Sequence, residues 1–142
     1  MITDLLQPTV DQVCDEFGIP QTDLTELEEG IIGLPWLKIV AKKGRRVRVD
    51  QHWAKMTIGK GQIPVLLYKN GKSDWQVRMQ VDIDSGRYAT LTVVTISLVD
   101  FLCWFEERLT YEIQVEQFLI EEARQIAQNQ TFIHSIKGIT KQ

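Results

Sequence analysis

The sequence predicts an α/β domain with a mixed β-sheet flanked by helices and a C-terminal helical extension. Three observations carry this. Ile63 to Tyr68 is a continuous apolar run of strand length, as in a strand buried on both faces. Asn70-Gly71, the strongest short hairpin signal in the chain, precedes the alternation Trp75, Val77, Met79, Val81. Apolar residues at helical spacing lie on both sides of this block.

Residues 8–17 are expected to form the first helix. Pro8 suits a helix start, and Val10, Val13, Cys14 and Phe17 space as a stripe. Gly18 is expected to stop it and Pro20 to prevent resumption. Residues 20–29 read as an acidic connector. Residues 30–42 hold two short β-like stretches around Gly33-Leu34-Pro35. Lys43-Gly44-Arg45-Arg46 reads as a turn. Residues 50–58 are expected to form a helix with Trp53 and Met56 inward, ended by Gly59-Lys60-Gly61. Asp82 to Arg87 reads as a polar loop, and Tyr88 to Thr95 is rich in β-formers. Ser97-Leu98-Val99-Asp100 resembles a capping box. After it, Leu98, Leu102, Phe105 and Leu109 fall on one helical face. Thr110 to Gln128 reads as a further long helix, with Val115, Phe118 and Leu119 among its apolar residues. The tail from Asn129 has weak periodicity and is expected to be loose.

The chain has 142 residues, the length of one domain. No run of 18 apolar residues is present, and Met1-Ile2-Thr3-Asp4 lacks the look of a secretory signal. Cys14 and Cys103 each sit in an apolar helical pattern and are expected to be reduced core thiols of a cytoplasmic protein. His52 and His134 have no partner at ligand spacing. The four tryptophans read as core and strand packing.

Charge is strongly segregated. Residues 1–37 carry eight acids and no Lys or Arg; residues 38–79 carry eleven bases and two acids. Residues 99–142 return to seven acids against four bases. Two explanations are open: a surface that faces nucleic acid, or an acidic N-terminal segment folded against a basic hairpin. Lys42, Lys43, Arg45, Arg46 and Arg48 are the candidate phosphate-contacting residues.

The ordered set Gly33-Leu34-Pro35-Trp36, Lys42, Trp53, Ile63-Pro64-Val65-Leu66, Trp75 and the helix at Leu98 resembles the PD-(D/E)XK, restriction-endonuclease-like family. More narrowly, it resembles small phage and prophage proteins described as Holliday-junction-resolvase-like. The resemblance covers about residues 28–109, with the helix at about 110–128 outside it. It implies strand, strand, short helix, strand, turn and strand, and a Mg²⁺-dependent DNA endonuclease that is usually a homodimer. Lys42 matches the motif lysine. Val40 stands where the family has Glu, and Gly30 where it has Asp. Mg²⁺ is a hard cation that wants carboxylate oxygens, and the metal both activates water and stabilises phosphate charge. Valine and glycine supply no oxygen.

The expectation is therefore a nuclease-fold protein with a degenerate catalytic site that binds DNA or a protein partner without cleaving and needs no metal. An active endonuclease with relocated carboxylates is the alternative. Lys42 and Glu29 would then be catalytic, and Glu29 with Asp82 or Asp84 would hold Mg²⁺. A third reading is an interaction module of a phage or mobile element.

Overall fold

The computed structural model describes residues 2–27, 30–84 and 89–140; the side chains of residues 82–84, 89, 90 and 132–140 lie outside that description. The chain divides into two compact units, residues 1–106 and 107–142.

The first unit is α/β. Helix α1 spans Ile2–Phe17 and buries Leu6, Val10, Val13 and Cys14. Their spacing of three and four residues puts them on one face. The helix starts six residues earlier than expected, so Pro8 lies inside it. The apolar stripe extends back to Ile2 and Leu6, and that burial outweighs the hydrogen bond Pro8 cannot donate. The C-terminus is as expected. Gly18 takes φ +64, the Gly18 N–H donates to Asp15 O, and the Ile19 N–H donates to Cys14 O. These two bonds satisfy the last carbonyls of the helix.

The acidic connector contains a strand. β1 (Thr25–Leu27) pairs antiparallel with β2 (Gly30–Ile32). The main sheet has four strands in the order β3-β4-β5-β6: β3 Leu37–Gly44, β4 Ile63–Asn70, β5 Gln76–Asp84 and β6 Ala89–Ser97. β3 runs parallel to β4, and the remaining pairs are antiparallel. A parallel neighbour needs a crossover, and α2 (Val49–Lys55) lies within it. β4 is inside the sheet, and Val65, Leu66 and Leu67 are all buried, which explains its unbroken apolar run.

Asn70-Gly71 opens the β4–β5 connection, but not as a two-residue hairpin. The antiparallel ladder begins only at Tyr68 and Gln76. The Asn70 side chain is engaged elsewhere: its Oδ1 accepts from the Val47 N–H at 2.6 Å, and the Gly71 N–H donates to Gly44 O at 2.7 Å. The signal that reads as a hairpin thus also fastens the arginine-bearing loop after β3.

Helix α3 spans Leu98–Thr140 without a break, where sequence periodicity predicts two helices and a loose tail. Its cap is as expected: Ser97 Oγ accepts from the Asp100 N–H. Phe101, Phe105 and Leu109 are buried, while Leu98 and Leu102 are half-buried. Phe101, Trp104 and Phe105 form an aromatic cluster with Trp36, whose ring centroid is 6.0 Å from Phe105 and 6.4 Å from Trp104. Such offset and edge contacts add to their area burial. Cys14 is a buried free thiol as expected; Cys103 is exposed, because it faces away from the Phe101–Phe105 stripe.

In the second unit, α3 carries the Arg108–Glu112 ion pair at 2.8 Å and the Arg108 guanidinium 5.1 Å from the Tyr111 ring centre.

Candidate nucleic-acid interface

Alternation along β3 sorts its side chains. Lys38, Val40 and Lys42 share one face; Ile39, Ala41 and Lys43 share the other. The first face, together with α2, encloses a cleft of about 910 Å³. Lys38 and Lys42 from the sheet, and His52 and Lys55 from α2, line it, and among the described residues no Asp or Glu does. Among the described residues Lys42, His52 and Lys55 have no carboxylate partner. The one acid close by on α2, Asp50, is ion-paired with Arg78 of β5 at 2.6 Å. Among the described residues the lining therefore presents Lys42 and Lys55 as uncompensated cations, which an anion can neutralise.

The loop Gly59–Gln62 forms its far wall. The Gly59 N–H donates to Gln62 Oε1 at 2.8 Å, and the Gln62 N–H returns to Gly59 O. A Cβ at Gly59 would meet Gln62 Oε1 at 2.9 Å, so a larger residue there would displace the Gln62 side chain from its bond to the Gly59 N–H.

A smaller cavity of about 320 Å³ at β3 shares Lys38, Val40 and Lys42 with the cleft, adds Gly30 and Glu26, and also takes in Ile2, Ile39 and Ala41 from the other side of the strand. The three positions that correspond to Asp, Glu and Lys in the resemblance thus lie together. Glu26 is its one carboxylate among the described residues.

The five candidate phosphate contacts do not form one cluster. Lys42 lines the cleft. Lys43 lies on the opposite face, because adjacent strand residues alternate. Arg46 and Arg48 line a separate recess of about 770 Å³ at the start of α2. Arg45 is exposed in the loop directly after β3.

Glu29 lies outside the described residues. Asp82 and Asp84 belong to β5 and pair with Leu91 and Ala89 of β6, rather than standing in a loop. The register sets Lys42 level with Tyr68 and Gln76. Asp82 is six residues further along β5, about 20 Å at strand rise. Among the described residues no group of three His, Cys, Asp or Glu is placed to hold a metal ion.

Sequence reasoning missed Lys38, His52, Lys55 and Glu26 as site residues. The 38-40-42 alternation was a usable signal for Lys38. Glu26 had none, since its segment reads as connector. No protein-family model, no curated protein and no solved structure matches this chain.

Proposed function

We propose that this chain is a nuclease-fold protein that binds DNA through its phosphates and does not cleave it. The observation that carries this reading is the cavity shared by Gly30, Val40 and Lys42. The order β2, β3, α2, β4, β5 is also the order the PD-(D/E)XK resemblance implies. Lys42 supplies a cation where a phosphate would sit, and Val40 and Gly30 leave the metal without oxygen ligands. The adjoining cleft adds His52 and Lys55, and the loop fastened by Asn70 presents Arg45, Arg46 and Arg48. Binding of this kind is dominated by counterion release. The reading places the protein in the cytoplasm, in keeping with its two free thiols. No helix among the described residues is long and apolar enough to cross a membrane.

Glu26 favours one second reading, an Mg²⁺-dependent endonuclease built on relocated acids, since it puts a carboxylate in the same cavity. Fluorescence anisotropy with duplex and four-way-junction DNA, run with and without Mg²⁺, separates the two. Salt-sensitive binding without strand scission supports the first. Scission that disappears in Glu26→Ala and Lys42→Ala would establish the second. Absence of binding to every DNA form at low salt would leave a protein partner as the ligand.

A further inference from the structure

Lys43 is the member of the basic segment that the DNA face does not use. It shares its face of β3 with Ile39 and Ala41, and among the described residues it has no ion-pair partner. Beside it, within the first unit, lies an apolar cavity of about 290 Å³. Ile2 and Leu67 are buried in its lining. Leu5, Ala41, Trp75 and Leu98 complete the lining and are half-buried. Lys43 is the single charged residue around it.

This combination selects for one ligand chemistry. An apolar recess gains from an apolar guest by the area it takes from water. One exposed ammonium favours one anionic end. One ammonium neutralises a singly charged carboxylate, whereas a phosphate dianion would keep an uncompensated charge against the apolar walls. A recess of about 290 Å³ suits a small guest rather than a long chain.

We propose that this cavity binds a small monocarboxylate with a linear or aryl apolar body of that size. The apolar end packs on Ile2 and Leu67, and the carboxylate meets Lys43 Nζ. Lys43 is on the opposite face of β3 from the cationic cleft, while Ile2 and Ala41 of the recess also line the small cavity that holds Lys42.

The test is isothermal titration calorimetry of the full chain with butanoate, hexanoate, octanoate, decanoate and 1-octanol. The expected result is saturable one-to-one binding that tightens about fourfold per methylene up to octanoate and then levels off. Lys43→Ala is expected to weaken octanoate about three- to fivefold and leave 1-octanol unchanged. Ala41→Leu fills the recess and is expected to abolish binding of both. Lys43 is exposed, so its variant folds even where a core-filling one does not. No saturable heat with octanoate would overturn the site. So would unaltered octanoate binding in folded Ala41→Leu. Equal affinity for octanoate and 1-octanol, or an unaltered octanoate affinity in Lys43→Ala, would overturn its assignment to carboxylates.

Discussion

Lys42 and Lys43 leave β3 on opposite faces of the sheet, Lys42 beside Tyr68 and Lys43 beside Lys69 in the parallel ladder. A basic dipeptide that reads as one patch is therefore two different surfaces. The cleft takes the first lysine and the apolar recess the second.

DNA binding should register this difference. Lys42→Ala is expected to flatten the plot of log affinity against log salt by about 0.9, the value of one phosphate contact on duplex DNA. Lys43→Ala is expected to leave the slope within error of the parent. Anisotropy titrations between low and moderate salt measure both. Equal losses in the two variants would show that binding does not follow the faces of β3.

Val40 is half-buried in the cavity that also holds Glu26 and Lys42. Val40→Glu puts a second carboxylate there. Two carboxylates begin to meet what a hard divalent cation requires. The variant is expected to bind Mn²⁺ at least tenfold more tightly than the parent, and to lose about 1 kcal/mol of stability. Calorimetric titration with Mn²⁺ and a thermal melt read the two effects. Unchanged Mn²⁺ affinity in a folded variant would mean that Glu26 and residue 40 do not converge on one ion.

Much of the sheet was legible because burial on both faces leaves a plain mark. Ile63–Tyr68 has no polar residue to obscure it, and Trp75, Val77, Met79 and Val81 alternate cleanly. The site was less legible. Val40 and Lys42 were readable by their spacing, but Glu26 sits on a three-residue strand that is exposed throughout and shows no apolar period. His52 and Lys55 join the cleft only because a crossover helix must lie against the parallel pair. The sequence reads as two helices, the second starting at Thr110, yet neither Gly nor Pro stands between Leu98 and Gln128 to stop a helix.

Pro8 is exposed within α1 and donates no hydrogen bond to the turn before it. Proline inside a helix costs up to about 3 kcal/mol relative to alanine. Pro8→Ala is expected to raise unfolding free energy by about 1–3 kcal/mol in urea titration, with no change in DNA affinity. A destabilised variant would show that Pro8 serves the unfolded-state entropy more than it harms the helix.

The core gives the opposite expectation. Phe105 is fully buried and stacks with Trp36 and Phe101. Phe105→Ala is expected to cost about 3–5 kcal/mol. Chemical denaturation of that variant beside Val99→Ala, a position 70% exposed, gives the comparison. Similar losses for both would place the core elsewhere.

We propose that the second unit pairs with another copy of itself. Phe118, Leu119, Ile120 and Ile126 are each more than half exposed on α3. Residues 107–122 carry five acids and one base, and residues 123–140 carry two bases and no acid. Two such helices in antiparallel register set each acidic half against a basic half and cover the apolar residues between them. That arrangement is isologous, as a two-fold dimer requires. Sedimentation velocity is expected to show a dimer at micromolar concentration. Phe118→Ser with Leu119→Ser removes large apolar contacts from both copies and should weaken it at least tenfold. Arg124→Glu should weaken it at low salt and less at high salt, where exposed charges are screened. A monomer at tens of micromolar would exclude the pairing. A dimer indifferent to all three substitutions would move the interface off this helix.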